Sequence, residues 1–182
     1  MTKVIQKNGK SGTAKAAGLM AAAIVSGSLI AETTLPVKRI GDIHVLGVSI
    51  RTSNAEASET IPAHWGHFME SQIAQKIPKP TSDSLYAVYT NFENEGANNE
   101  GIYTFILGLQ VNEDSEVPEG MELVKIAGGN YYEYPVSENK PENVFATWME
   151  IWSTSGLSNA YVSDFEEYKS NGEITVNVGT TN

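Results

Sequence analysis

The chain has no cysteine, so no disulfide framework, thiolate nucleophile or cysteine-based zinc site can be built from it. It is also poor in positive charge: 12 Lys and Arg stand against 22 Asp and Glu, a formal balance of -10. General nucleic-acid binding needs clustered cations to neutralise phosphates, so direct nucleic-acid binding is set aside. No apolar run is long and apolar enough to make a stable membrane span. Neither a G-x-G-x-x-G nor a Walker loop occurs, which argues against nucleotide chemistry. No G-x-S-x-G elbow marks a serine nucleophile.

What is present describes a globular protein. With 182 residues, 41% hydrophobic and 19% charged, the chain suits one domain with a real core. Its first part differs from the rest. Lys3, Lys7, Lys10 and Lys15 precede AAGLMAAAIVSGSLIA (16–31), a run of small and apolar residues. Basic start, apolar middle and small residues at the end have the outline of a secretory signal. Residues 1–31 are therefore expected to be a signal-like or disordered segment, and the fold is expected in 36–182. From Glu32 onward the charge balance is about -14, which favours cations over anions as partners.

The pattern after Pro36 runs twice through the same steps. KRIGDIHVLGVSIR (38–51) is β-rich, and a helix introduced by Thr60 and Pro62 follows, with Ile61, Trp65, Phe68, Met69, Ile73 and Ile77 at helical spacing. SLYAVYTN (84–91) and IYTFILGLQV (102–111) then read as two strands. The second round begins with MELVKIAGGNYYEYPV (121–136), a strand with a Gly-Gly break. Its helix starts near Asn139 and Pro141 and ends at Gly156, before the closing pair AYVSDFEEY and EITVNVG. The order of elements predicts an α+β fold: a duplicated β-α-β-β unit, an antiparallel sheet, and both helices on one side.

Few residues offer catalytic or metal chemistry. His64 and His67 share a helix face at i, i+3, and Glu70 could add a third ligand. The favoured reading is of helix-start residues, with no metal and no cofactor expected, and no catalytic residue is assigned. Aromatic residues are more informative, because eight tyrosines are hard to bury without partners for their hydroxyls. Most belong to the core. A cavity lined by Tyr and Trp faces around one carboxylate would bind a flat or lipophilic cation. In DFEEY (164–168), alternation puts Glu166 and Tyr168 on one face and Phe165 and Glu167 on the other. Alternation does not say which face points inward.

Over residues 36–179 the chain resembles the GyrI-like effector-binding domain, the small-molecule module of AraC- and MerR-type regulators that also occurs free-standing. The likeness rests on IPAHWGHF, YAVYTNFE, YTFILGLQV, VPEGMELVKIAGGNYYEYPV, VFATWMEIW and DFEEY, in that order. The last is the most specific, since the family closes with an F-E-x-Y type strand. The resemblance implies a ligand cleft between the two halves, where an acidic residue of that strand meets a cationic ligand. Carried onto this sequence, the acid is Glu166, with Phe165 and Tyr168 as its companions. Trp65 and Trp148 match the helix aromatics, and Tyr89, Tyr103 and Tyr132 are further candidates for the wall. Glu167 is left, by default, as the solvated glutamate.

The expected function is non-enzymatic binding of small lipophilic, cationic or amphipathic molecules. Two alternatives share the resemblance: a hydrolase of reactive small molecules using the same cleft, and a gyrase-inhibitor-type module that docks on a basic protein face. No helix-turn-helix pattern precedes the domain, so a binding module rather than a complete transcription factor is expected. The signal-like start favours export to the periplasm, whereas the family resemblance favours the cytoplasm.

Overall fold

A computed structural model describes residues 36–182; the signal-like reading of 1–31 lies outside the described residues. The β-branched and aromatic runs suit a pleated, half-buried surface and form eight strands. These are β1 (Val37–Ile40), β2 (Ile43–Ser53), β3 (Leu85–Thr90), β4 (Ile102–Val111), β5 (Glu122–Ile126), β6 (Gly129–Pro135), β7 (Asn159–Tyr168) and β8 (Ile174–Thr180). Two α-helices, α1 (Ala57–Glu70) and α2 (Val144–Ser153), interrupt them. The strands join one sheet in the order β1-β6-β8-β7-β3-β4-β2-β5, and every pairing is antiparallel.

This is the expected α+β duplication, with β2-α1-β3-β4 as one unit and β6-α2-β7-β8 as the other. Read outward from the central β3–β7 pair, each unit runs second strand, third strand, first strand. The two units therefore meet along β3 and β7. Glu166 lies on that seam, opposite the small Ala87.

Each unit also carries a short leading strand. The segment 38–51 reads as a single run in sequence and 121–136 as a strand with a Gly-Gly break; both divide, at Gly41-Asp42 and at Ala127-Gly128. One antiparallel register persists across the breaks, from Val37 opposite Tyr132 through Ile43 opposite Ile126 to Gly47 opposite Glu122. The Gly128 N–H donates to Asp42 Oδ1 at 2.7 Å and bridges the gap. A β-carbon at position 128 would lie only 2.9 Å from that same oxygen, so a side chain there would displace the Asp42 carboxylate. The consequence is an exchange: β1 extends the second unit's edge and β5 extends the first's.

Strand alternation sorts the core onto two faces. On one, Leu46, Ala87, Phe105 and Leu107 pack against Phe68 of α1, while Val176 and Val178 pack against Val144, Trp148 and Ile151 of α2. Tyr89 and Tyr168 join both clusters, so the two helices share a face. On the other, Val45, Val88, Ile106, Tyr131 and Phe165 form a third cluster.

Helix α1 begins at Ala57, earlier than Thr60 and Pro62 suggest in sequence, and Pro62 is interior. Proline there removes one intrahelical hydrogen bond. The helix start is anchored instead by Thr60 Oγ1, which bonds the Glu56 carbonyl at 3.0 Å and the Thr52 hydroxyl of β2 at 2.7 Å. His64, on the helix-start pair considered for metal, is buried, and its Nε2 lies 2.9 Å from the Val48 carbonyl. Among the described residues, no group of three His, Cys, Asp or Glu gathers to hold a metal ion.

Candidate functional site

The closing strand β7 supplies the chemistry because its alternation is now anchored to a face. Phe165 joins the cluster away from the helices, so Asp164, Glu166 and Tyr168 face α1 and α2. They open on a cavity of about 670 Å³. Ile61, Pro62 and Trp65 of α1 form one wall, and Val144, Trp148, Ile151 and Trp152 of α2 form the other. Tyr89, Tyr103 and Val178 of the sheet complete it. Among the described residues no Lys, Arg or His lines it, while Asp164 and Glu166 both do.

Glu166 is only 3% exposed, yet among the described residues its carboxylate has no cationic partner. Its Oε1 accepts from the Tyr89 hydroxyl (2.7 Å) and the Trp148 indole N–H (2.7 Å), and its Oε2 accepts from the Tyr168 hydroxyl (2.6 Å). The donors come from β3, α2 and β7, so both halves of the duplication hold one carboxylate. Tyr89 reaches it diagonally: its own cross-strand partner is Asp164, and Glu166 is two residues further along β7. The ring of Trp65 packs edge-on against Tyr168 with centroids 5.2 Å apart, and Tyr89 meets Trp148 at 5.1 Å. Aromatic side chains therefore surround a buried carboxyl group.

Burial pushes the Glu166 carboxyl above its ordinary value, and the Trp148, Tyr168 and Tyr89 donors pull it part of the way back. The same burial, reinforced by the neighbouring carboxylate, raises the hydroxyls of Tyr89 and Tyr168, which stay protonated and remain donors. Asp164 is pushed up to about 7 by burial, against a single hydrogen bond from the Gly179 N–H at 2.9 Å. A buried acid whose folded value is raised binds more protons folded than unfolded. Its contribution to stability is complete below the unfolded value near 4 and is lost as pH rises towards the folded value. Asp164→Asn is accordingly expected to gain stability relative to the parent protein as pH rises from 4 to 8, on the order of 2–4 kcal/mol across that window. Urea unfolding of both proteins at several pH values measures it; a difference that does not change with pH would contradict the assignment.

The structure brings six of the eight sequence candidates to the cavity: Glu166, Tyr168, Trp65, Trp148, Tyr89 and Tyr103. It does not bring Phe165 or Tyr132 there. Phe165 alternates to the opposite face, beside Tyr86 and Tyr131. Tyr132 is buried in the α2 cluster, and its hydroxyl accepts from Asn182 Nδ2 at 2.7 Å. Glu167 is not simply solvated either: it is half-buried, and its Oε1 accepts from Ser84 Oγ (2.9 Å) and the Tyr86 hydroxyl (3.2 Å).

Two polar residues of β7 that the sequence reading did not assign to the cavity, Asp164 and Asn159, also line it. Asp164 has the same parity as Glu166 and Tyr168, a signal that alternation could have supplied. Asn159 has the wrong parity and reaches the cavity through a break in register. It pairs with Thr180, and Asp164 pairs with Val178, so an irregularity separates them. Tyr161, inside that irregularity, adopts a left-handed φ of 51°. Such a bulge re-phases the strand and turns an odd-numbered residue inward.

Solved structures share this architecture. An integron cassette protein from Vibrio cholerae is similar at a TM-score of 0.62 and 25% identity, over 81% of this chain and 95% of that one. A bacterial transcription regulation protein from Staphylococcus aureus MU50 is similar at a TM-score of 0.62 and 11% identity, over 80% and 98% of the two chains. SAV2435, solved bound to tetraphenylphosphonium, is similar at a TM-score of 0.63 and 10% identity, over 80% and 91%. At such identities the last two likenesses establish the fold alone. A search of curated proteins finds no match. The family model of the integron-associated effector binding protein, Cass2, matches residues 37–178, and the chain belongs to that family, with the fold of a GyrI-like effector-binding domain.

Proposed function

We propose that this effector-binding domain takes up lipophilic, flat cations, with Glu166 as the buried counter-charge and Trp65, Tyr89, Trp148 and Tyr168 as the aromatic enclosure. The reading assigns binding to residues 36–182 and needs nothing from residues 1–31. One observation carries it: a carboxylate 3% exposed, held by three neutral donors, with no basic residue among the described residues of the cavity wall. Burying an unpaired charge is costly, and a ligand cation removes that cost. The ring faces add cation–π attraction, which is strongest for tryptophan. Lipophilic ligands fit because the remaining wall is largely apolar, with Ile61, Val144, Ile151 and Val178 among its residues. The three donors also hold Glu166 in a fixed position, so the reading is of binding without turnover.

Titration with tetraphenylphosphonium, followed by tryptophan fluorescence, tests the proposal. Saturable quenching is expected, because Trp65 and Trp148 lie in the wall. Affinity is expected to weaken as pH falls through the raised value of Glu166, since the protonated acid offers no charge to the cation. No saturable binding at either pH 8 or pH 5 would reject the reading. Turnover of an electrophilic compound, abolished when Glu166 is replaced, would replace it with the hydrolase alternative.

A further inference from the structure

Glu166 does not exhaust the acceptors of the cavity. Asp164 is 9% exposed and lines the same cavity, and among the described residues its only hydrogen-bond donor is the Gly179 N–H, which meets Oδ1. Its Oδ2 is therefore free to accept. Asn159 also lines the cavity, and its Oδ1 is buried with no partner at all. A buried acceptor without a donor is uncommon in folded proteins and calls for an explanation.

The register explains how these groups come together. Glu166, Asp164 and Asn159 stand opposite Val176, Val178 and Thr180 of β8, three successive positions of one strand face. The bulge in β7 is what adds Asn159 to the row. At a rise of about 3.3 Å per residue, neighbouring members of the row are roughly 6–7 Å apart along the strand.

The two ends of the row differ in chemistry. Both oxygens of Glu166 are engaged by O–H and N–H donors from the protein, so it meets a ligand through charge and needs no ligand N–H. Asp164 keeps an unfilled acceptor, which a ligand N–H can satisfy. We propose that Asp164, with Asn159 beyond it in the row, forms a second subsite that binds a protonated amine carried by the same ligand, Asp164 standing about 6–7 Å along the strand from Glu166. The preferred ligand class is then an amphipathic dication: a lipophilic cationic head joined through a short linker to a primary or secondary ammonium. Burial raises Asp164, and a ligand ammonium beside its free oxygen offsets the cost of ionising it there.

The inference rests on the cation-binding reading, and one set of titrations separates the two. The probes are pentyltriphenylphosphonium, (4-aminobutyl)triphenylphosphonium and its N-acetyl derivative. All carry the same head, and only the second adds a charged amine, through a linker of roughly the required span. A simply apolar cavity would favour the pentyl compound. The amine compound is expected to bind the parent protein about five- to tenfold more tightly than either of the others, the scale of one charged hydrogen-bonded contact. In Asp164→Asn the advantage is expected to fall to roughly unity, while the asparagine oxygen can still accept from Gly179. An amine compound no tighter than the pentyl one, or an advantage that survives in Asp164→Asn, overturns the second subsite and leaves the cation reading standing. Failure of all three probes to bind overturns both. The comparison among probes on the parent protein does not depend on any variant folding.

Discussion

Replacing Glu166 with glutamine is expected to weaken tetraphenylphosphonium binding by about 1–3 kcal/mol while making the ligand-free protein more stable. The two effects have one origin. The carboxylate is 3% exposed and, among the described residues, no basic side chain lines the cavity wall, so a ligand cation would compensate its charge. Glutamine has nearly the same shape. Its carbonyl oxygen can accept from Tyr89 and Trp148, as Oε1 does now, and its amide can donate to the Tyr168 oxygen. Packing and most of the hydrogen bonding are kept, and the charge is lost. Burial raises the acid in the folded state, so the gain in stability from glutamine grows as pH rises above the unfolded value near 4.3. Calorimetric titration and urea unfolding at pH 5 and pH 8 measure both arms. Unchanged affinity would remove Glu166 from the binding role. A variant less stable at pH 8 would mean that the three donors over-compensate the burial of charge.

Phe105→Ala is expected to destabilise the fold by about 3–5 kcal/mol, the cost of lost burial together with the cavity left behind. Phe105 is fully buried, on β4 in the cluster beneath α1. Its ring meets Tyr89 with centroids 5.0 Å apart and His64 at 6.0 Å. It therefore supports both the tyrosine that donates to Glu166 and the histidine of α1 that bonds the Val48 carbonyl. Urea unfolding should show the midpoint shift, with a smaller one for Phe105→Leu, which fills most of the space. The alanine variant should also bind tetraphenylphosphonium less tightly under folding conditions, because Tyr89 loses its backing. A stability loss below about 1 kcal/mol would mean that the neighbouring rings close over the gap.

Much of the fold is readable from local pattern. The two helical stretches and the long β-rich runs carry their own periodicity, and their order implies the duplication. The Gly-Gly pair marks the break in 121–136, but the splitting of 38–51 was less accessible, because that run alone could continue as one strand. The break arises where Gly41-Asp42 and Ala127-Gly128 meet across the register, with Gly128 donating to Asp42. That contact joins residues 86 apart in the chain, and nothing local announces it.

The site divides in the same way. Period-two alternation by itself determined that Glu166 and Tyr168 share a face and that Phe165 does not, because successive side chains of a strand must point to opposite sides. Composition determined that the protein is acidic and without thiol chemistry. Which face of DFEEY turns inward was decided by tertiary structure, through the pairing of β7 with β3 and β8 and the covering of one sheet face by both helices. The choice of Tyr89 and Trp148 as donors to Glu166 was decided the same way, since β3 and α2 reach that carboxylate only when the two units meet along the seam. Asn159 depends on tertiary structure most of all: its parity points it away from Glu166, and only the register break against β8 turns it into the row. Alternation is a property of the backbone and is written locally. Register and facing are properties of pairs of distant segments, and the sequence states them only through the fold.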